Sequence, residues 1–390
     1  MFSSRLSWNP ASNRITCLID DLNRSGVTLV DLTGTNPTAA GFDMDAAAVC
    51  NAISHPSILE YHPDPRGLIS ARQAVVDYYH CHDRNVDPET VFLTASTSES
   101  YACLLKLLCD PGDTVLVPRP SYPLFDFLAG LEAVHLEPYR INCLPDTGWR
   151  IDLAHIRSLA TSRTRAVILV NPNNPTGSYV RPDEWNDLCR WCRDHDLALI
   201  VDEVFLDYVS AHHPAAREST AGNSAALTFT LSGISKVLGL PQLKLGWIQV
   251  SGPPSLCRPA CRHLELISDT YLSASTPVQT ALPILMAQRD FFQHQVQDRI
   301  HTNEIFLKTA CDRLTSGRML SREGGWAAIL AMQNGISDED MVCRLLESDH
   351  VLVHPGYFYD FDADDCLVAS LLSRPDDFAT GIDRLIARFR

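Results

Sequence analysis

The middle of the chain contains four short apolar runs rich in β-branched residues, and helix-like stretches separate them. The runs are TVLV (114–117), AVILV (166–170), ALIV (198–201) and ALTFTL (226–231). The stretch RPDEWNDLCRWCRDHD, which begins at Arg181, is typical of the helices between them. Parallel sheets covered by helices bury their strands on both faces, so those strands are apolar along their whole length. The pattern therefore predicts an α/β fold with a mainly parallel sheet.

Polar residues directly follow three of these runs. AVILV leads into NPNNPTG, ALIV into DEVFLDY and ALTFTL into SGISK. Ligands of open α/β sheets bind beyond the carboxyl ends of the strands, so Asn174, Asp202 and Lys236 are candidate site residues. Lys236 alone would also fit a lysine that snorkels from a half-buried turn, and the other two would fit turn-forming residues. Residues elsewhere in the chain must decide between these interpretations.

Six segments follow one another along the chain: YHPDPRG, TASTSES, PRPSYP, NPNNPTG, DEV and SGISKVLGLPQLKLGW. In this order and spacing they resemble the fold-type I enzymes that use pyridoxal 5'-phosphate (PLP), specifically the class I/II aminotransferase family. The resemblance extends from about Tyr61 to VLVHPG, which is nearly the whole chain. It implies a PLP-dependent aminotransferase with a mainly parallel, seven-stranded type of sheet in a large PLP-binding domain.

The last hundred residues have a different pattern. A long helical pattern from about 280 to 315 precedes three strand candidates, GGWAAILAM, HVLVHPG and CLVASLL. A closing helix carries four apolar residues at helical spacing: Phe378, Ile382, Leu385 and Phe389. We therefore expect a large PLP-binding domain at 45–275 and a smaller α+β domain formed by the chain ends, 1–44 and 276–390.

The resemblance implies a role for each residue at the strand ends. Lys236 corresponds to the lysine that holds PLP as an internal aldimine, because a primary amine forms a Schiff base that a substrate amine can displace. The freed amine can then move protons. Asp202 corresponds to the carboxylate that keeps the pyridine nitrogen protonated, and Asn174 to the hydrogen-bond partner of the ring hydroxyl. The small Ser235 lets the cofactor approach the backbone.

The cofactor phosphate requires amides at a helix N-terminus together with a cation. In VFLTASTSESYACLLKLL a strand gives way to a helix at Ser96, Thr97 and Ser98, although these residue types also serve for capping alone. Lys244, eight residues after Lys236, stands where the family usually has a phosphate-binding arginine. Lysine keeps the charge but loses the bidentate fork, and we still assign Lys244 to the phosphate.

Two tyrosines extend the predicted site. Tyr122 in PSYP resembles the aromatic residue that stacks on the cofactor ring, although a core tyrosine would give the same pattern. Tyr61 in YHPDPRG matches a tyrosine that reaches the phosphate in the neighbouring subunit. The resemblance therefore implies a homodimer with shared active sites.

Two positions depart from the family in ways that concern the substrate. Phe205 stands where the family usually has a tyrosine that donates to the ring hydroxyl, and its absence should raise the pKa of the internal aldimine. Val368 stands where the family usually has the arginine that binds the substrate carboxylate, and Arg374 lies six residues further on. We therefore expect the carboxylate to be held weakly or by another group.

Charge and composition narrow the classes of partner. The 390-residue chain has 32 Lys and Arg against 47 Asp and Glu, which gives a formal net charge of −15. This charge repels nucleic acid and anionic membranes and favours small amino and keto substrates. No window approaches a membrane span, and the first residues lack the apolar core of a secretory signal, so we predict a cytoplasmic protein. The thirteen cysteines then fit reduced thiols.

Two short clusters could suggest a metal or redox site. They are HCH at His80 to His82, and CRWC with Cys189 and Cys192. Neither has a second pair at zinc-site spacing, and both fall in helix-like segments. We therefore predict no metal site.

Two alternative functions share the same motifs. A PLP-dependent lyase or cyclase, similar to aminocyclopropane-carboxylate synthase, would eliminate or replace a β or γ substituent after the same proton abstraction. A cofactor-sensing regulator would need an additional DNA-binding domain, and fewer than about sixty residues precede Tyr61. The sequence does not separate the first alternative from transamination.

Overall fold

The structure, a computed structural model, describes residues 2–6, 12–210 and 218–390. Residues 1 and 7–11 lie outside the described residues. They belong to the N-terminal stretch in which no secretory signal is predicted, and to the predicted segment 1–44 of the smaller domain.

The strands of the described part of the chain form three sheets. They are β1 (Val30–Asp31), β2 (Val91–Thr94), β3 (Thr114–Arg119), β4 (His135–Leu144), β5 (Gly148–Ile151), β6 (Thr164–Val170), β7 (Ala198–Asp202), β8 (Thr228–Gly233), β9 (Gly246–Ser251), β10 (Gly317–Met319), β11 (Ala327–Met332), β12 (Val351–Leu352), β13 (His354–Pro355) and β14 (Cys366–Ser370).

The α-helices of the same ranges connect and cover these strands. They are α1 (Arg14–Arg24), α2 (Ala46–Ile53), α3 (Ile69–His80), α4 (Thr97–Leu108), α5 (Leu124–Leu131), α6 (Leu153–Leu159), α7 (Pro182–Asp194), α8 (Ile234–Val237), α9 (Pro254–Tyr271), α10 (Thr276–Met286), α11 (Arg289–Cys311), α12 (Asp338–Arg344) and α13 (Pro375–Phe389).

The large sheet contains eight of the described strands, in the order β2-β9-β8-β7-β6-β3-β4-β5. Its centre is parallel from β4 through β3, β6 and β7 to β8, and β9 runs antiparallel between β8 and β2. The predicted α/β fold with a mainly parallel sheet is confirmed. The strand number exceeds the expected seven because the short β5 pairs antiparallel with β4 and extends that edge.

Two apolar cores enclose this sheet, one on each face. Ile168 of β6 and Ile200 of β7 belong to one core, whereas the adjacent residues Leu169 and Val201 belong to the other. Successive side chains of a strand point to opposite faces, so a strand between two cores must be apolar at every position. This burial explains the continuous apolar runs from which the sheet was predicted.

The strands β6, β7 and β8 end at the same edge of the sheet. Val170 is the register partner of Asp202, and Asp202 is the register partner of Leu231 on the other side. The chain leaves β6 through NPNNPTG and leaves β8 through α8. Neighbouring parallel strands therefore deliver their following polar residues to one place.

The last part of the chain forms a smaller antiparallel sheet of order β10-β11-β14-β13, and β1 pairs with β12 in a two-stranded sheet. The three predicted strand segments near the C-terminus are thus confirmed. The four apolar residues of the predicted closing helix are all buried in α13. The division into residues 45–275 and the two chain ends stays a prediction.

The predicted helical pattern from 280 to 315 is wrong in one respect. It contains two helices, α10 and α11, with Ala287 and Gln288 between them. No glycine or proline marks this junction, so the apolar periodicity continues across it and carries no sign of a break.

One apolar cluster joins the two larger sheets. Leu116 and Leu169 of the large sheet, Ile329 of β11 and Val368 of β14 all belong to it, and each is almost fully buried. Side chains from both sheets therefore pack in one continuous interior.

The cysteines contribute no cross-links. All thirteen are free thiols, and Cys189 and Cys192 are buried in α7. Within the described ranges, no three His, Cys, Asp or Glu side chains are arranged to hold a metal ion, and no helix is long and apolar enough to cross a membrane.

Candidate active site

Lys236 lies on the single turn α8, directly after β8, and Asp202 is the last residue of the neighbouring strand β7. Burial lowers the pKa of Lys236 to about 8, and the attraction of the Asp202 carboxylate opposes this effect only in part. A lysine with this pKa is partly uncharged near neutral pH. The site therefore presents a primary amine that can act as a nucleophile or as a base.

Aromatic rings surround the Lys236 amine. Its Nζ lies 4.8 Å from the ring centroid of Trp326 and 5.7 Å from that of Phe205. The hydroxyl of Tyr208 donates a hydrogen bond to the carbonyl oxygen of Lys236 at 2.5 Å and so fixes the turn that carries the lysine. A snorkelling lysine would extend its amine to solvent, so this enclosure argues against that interpretation.

Asp202 is a buried carboxylate, with only 8% of its surface exposed. Its Oδ1 accepts a hydrogen bond from the backbone N–H of Val204 at 3.0 Å, and its Oδ2 accepts one from the hydroxyl of Tyr101 at 3.0 Å. Burial nevertheless raises the pKa of Asp202 to about 6, because these bonds and the Lys236 charge compensate for the lost solvation only in part. Asp202 does form the turn bond to Val204, but it uses only one of its two oxygens for this bond.

The predicted phosphate cradle is compact. Ser96 caps α4, and its Oγ accepts a hydrogen bond from the backbone N–H of Glu99 at 3.2 Å. A Cβ added to Gly246 would lie 3.0 Å from the carbonyl carbon of Ser96 and 3.1 Å from the nitrogen of Thr97. Only glycine therefore allows β9 to pack this closely on the helix start.

The remaining members of the cradle lie close to it in the chain. Ser98 is the second residue of α4 and is half-buried, as are Ser96 and Thr97. Lys244 is exposed two residues before β9, and Ser235 is half-buried beside Lys236. The register of β2, β9 and β8 thus brings the start of α4, Lys236 and Lys244 to the edge of the sheet where Asp202 lies.

Asn174 is half-exposed in the loop after β6. The other two asparagines of NPNNPTG build the turn itself, since Asn171 Oδ1 accepts from the N–H of Val180 and Asn173 Oδ1 accepts from the hydroxyl of Thr176. Because these neighbours already form the turn, a purely turn-forming role for Asn174 is not needed.

Among the described residues, Tyr122 and Tyr61 do not join the contacts around Lys236. Tyr122 is 47% exposed after β3, so it is not a core tyrosine. Tyr61 is 71% exposed. It lines a separate cleft that also includes Thr94, at the end of β2, and Glu99, in the first turn of α4. The predicted roles of both tyrosines stay predictions.

Val368 lies inside the cluster that joins the two sheets and is only 2% exposed. Its register partners are Ile329 and His354. Arg374 is exposed at the start of α13, where its guanidinium packs against Gly41. Burial and the charge of Arg374 together lower the pKa of Arg299, so Arg374 lies close to Arg299.

Three residues near the site were not predicted from the sequence: Tyr101, Tyr208 and Trp326. Tyr101 lies four residues after Thr97, so helical periodicity places it on the same face of α4 as the predicted cradle. Tyr208 follows DEVFL, and Trp326 precedes β11 from the other end of the chain. Their contacts depend on long-range packing, for which the sequence pattern gives no signal.

Comparisons with known proteins identify the family of the chain. The model of the family Aminotransferase class I and II matches residues 33–369. The alanine aminotransferase of Mycobacterium bovis is 28% identical over 377 residues, which cover 93% of this chain and 86% of that protein. The glutamate-pyruvate aminotransferase AlaA of Haemophilus influenzae is 25% identical over 386 residues, covering 95% of this chain and 93% of that protein.

The fold is also shared with solved structures. The alanine aminotransferase from Pyrococcus furiosus superimposes with a TM-score of 0.89 at 22% identity, covering 100% of this chain and 99% of that one. A mainly parallel α/β sheet with a lysine and a buried carboxylate at its strand ends is typical of PLP enzymes of fold type I. The chain belongs to the class I and II aminotransferase family, and it is a PLP-dependent aminotransferase. The relatives named here are all aminotransferases, which favours amino-group transfer over elimination or replacement.

The residues at this edge fit PLP. The cofactor needs an amine for its aldehyde, a carboxylate for its ring nitrogen and an anion site for its phosphate, and Lys236, Asp202 and the start of α4 supply these groups. Gly246 places no side chain against that helix start.

Proposed function

We propose that Lys236 holds PLP covalently and that Asp202 faces its ring nitrogen. The observation that carries this assignment is the pair at the strand ends, a half-buried amine whose pKa is lowered to about 8 and a buried carboxylate whose pKa is raised to about 6. A protonated ring nitrogen would give Asp202 the cationic partner that its burial requires. The hydrogen bond from Tyr101 would keep the carboxylate oriented toward it.

The other groups would orient the cofactor. Amides and hydroxyls of Ser96, Thr97 and Ser98 would bind the phosphate, with Ser235 beside them and Lys244 as the cation. Tyr122 would stack on the ring, and Asn174 would donate to the ring hydroxyl. Phe205 has no polar atom, so it can only pack beside Lys236 and leaves that hydroxyl to Asn174.

PLP, when bound, supplies an aldehyde that captures the substrate amine and a ring that accepts electrons from the α-carbon. The Lys236 amine would take the α-proton of the substrate and return a proton from the same Nζ. Burial beside Trp326 and Phe205 lowers the pKa of this amine to about 8, so part of it is uncharged near neutral pH. The chain's own residues therefore provide the base, its low pKa and its position.

We infer that the protein moves an amino group between an amino acid, or a related amine, and a keto acceptor. Alanine, glutamate and pyruvate are the first compounds to test, because the relatives carry these substrates in their names. A panel of amino donors should convert the bound cofactor to its amine form, which is followed by absorbance. If no donor changes the spectrum of a protein that holds PLP on Lys236, the proposal fails.

We also propose a cytoplasmic homodimer with shared active sites. Tyr61 is exposed, and Leu59 nearby is 87% exposed, as expected of a surface that a second copy covers. Mixing an inactive Lys236→Ala chain with an inactive Tyr61→Ala chain should regenerate one working site per heterodimer. Absence of recovery after verified subunit exchange would contradict a shared site, and Tyr271→Ala, another exposed aromatic residue, serves as the control partner.

A further inference from the structure

Trp326 contains a buried hydrogen-bond donor without a partner. Its side chain is 3% exposed, and among the described residues its indole Nε1 has no hydrogen-bond acceptor. Buried donors of folded proteins are nearly always paired, so an unpaired one requires an explanation. The same ring lies 4.8 Å from Lys236 Nζ and packs edge-on against Phe205 and Tyr208.

Three other donor side chains, two of the site and one of the turn before Trp326, are already engaged. The hydroxyl of Tyr208 donates to the Lys236 carbonyl, and the hydroxyl of Tyr101 donates to Asp202. Arg322, four residues before Trp326, uses its guanidinium on Glu304 and on the carbonyl oxygens of the Gly324–Ala327 turn. The indole N–H is therefore the unengaged donor of this group.

We propose that Trp326 Nε1 donates a hydrogen bond to the carboxylate of an amino-acid substrate bound at Lys236, which makes Trp326 a residue that determines specificity. This inference rests on the proposed function. An α-amino acid carries its amine and its carboxylate on one carbon, so a substrate whose α-proton faces Lys236 brings a carboxylate oxygen close to the ring beside Nζ. A bond from an N–H to a carboxylate is charge-assisted and stronger than a neutral one.

The test compares binding of an α-methyl amino acid, which has no α-proton to lose, with binding of the amine that lacks its carboxylate. Both are titrated calorimetrically into the PLP-loaded enzyme. Trp326→Phe keeps an aromatic ring but removes the N–H, so the acid should bind about tenfold or more weakly while the amine is unaffected. Phe205→Leu, the matched control, has no donor to lose and should change both affinities by the same factor.

A second variant separates the loss of the N–H donor from a change in side-chain packing. Trp326→His keeps a ring N–H in a smaller side chain and should retain more of the preference for the acid than Trp326→Phe does. Equal weakening of acid and amine in Trp326→Phe, or an equal preference for the acid in both variants, would overturn the inference. Failure of the wild-type protein to form a borohydride-reducible bond with PLP would instead overturn the proposed function.

Discussion

Replacing Asp202 with Asn should stabilise the protein when the cofactor has been removed. Burial raises the pKa of this carboxyl from 3.8 to about 6 in the folded chain. Each pKa unit corresponds to 1.36 kcal/mol, so the ionised Asp202 destabilises the folded state by about 3 kcal/mol at pH 8. Asparagine carries no charge and can still accept from Val204, so we expect a net gain of about 1 to 3 kcal/mol.

The sign of the pH dependence follows from the raised pKa. Between pH 3.8 and about 6 the folded chain keeps a proton that the unfolded chain has released, so the stability of the wild-type protein falls as the pH rises through this window. The gain from Asp202→Asn should therefore be largest at pH 8 and mostly absent at pH 4. Tyr101→Phe removes a bond that lowers the pKa of Asp202, so it should extend the window to higher pH.

Urea unfolding of the cofactor-free wild-type and Asp202→Asn proteins at pH 4 and pH 8 measures this difference directly. With PLP bound the order should reverse at pH 8, because asparagine cannot balance a protonated ring nitrogen. A cofactor-free Asp202→Asn protein that is no more stable than wild type at pH 8 would refute the argument that burial of this charge is costly. The same gain at pH 4 and pH 8 would refute the role of ionisation.

Three further predictions concern the lysine and the substituted arginine position. Lys236→Ala should abolish turnover and the borohydride-reducible bond to PLP while circular dichroism shows an unchanged fold; a reducible bond in this variant would mean that another lysine is used. Attachment of PLP to the cofactor-free protein should accelerate as pH rises, with a midpoint of about 8, because the uncharged Lys236 amine is the nucleophile; a midpoint near 10.5 would show that its pKa is not lowered. Val368→Arg should lower the free energy of unfolding by about 3 kcal/mol or more without improving binding of α-amino acids, because it buries an unpaired charge in an apolar cluster. Val368→Ala provides the control for lost packing, and tighter binding in Val368→Arg would contradict this account.

The central sheet could be predicted because the residues of each strand indicate on their own that the strand is buried on both faces. A strand such as Ala198–Asp202 is buried on both sides, so every residue before its polar end is apolar, and this needs no knowledge of its neighbours. The meeting of Asp202 with Lys236 also follows once β7 and β8 are adjacent, since polar residues at the ends of parallel strands share an edge. The break between α10 and α11 could not be predicted, because no residue there opposes a helix.

The contacts that refine the site lie beyond this kind of argument. Tyr101 and Asp202 are 101 residues apart in the chain. Trp326, which packs beside Lys236, follows α11 in the chain. Such contacts depend on how helices and the second sheet pack on the first, and many sequences with the same pattern would pack differently. Val368 is a different case. The resemblance to the family shows from the sequence that the usual arginine is absent there, but only the structure shows that Val368 packs in an apolar cluster.

The apolar cluster that joins the two sheets has a consequence for how this protein can be recombined. Val368 and Ile329 of the smaller sheet belong to one packed cluster with Leu116 and Leu169 of the large sheet. Close-packed side chains tolerate a change of volume in one sheet only if the facing side chains of the other sheet change as well. A chimera that carries the C-terminal third of a distant relative would place side chains of different volume in this cluster without the matching side chains of the large sheet. The C-terminal segment should therefore be exchanged together with the sheet that it covers, and substitutions in β14 that change side-chain volume should require matching substitutions in β3 or β6.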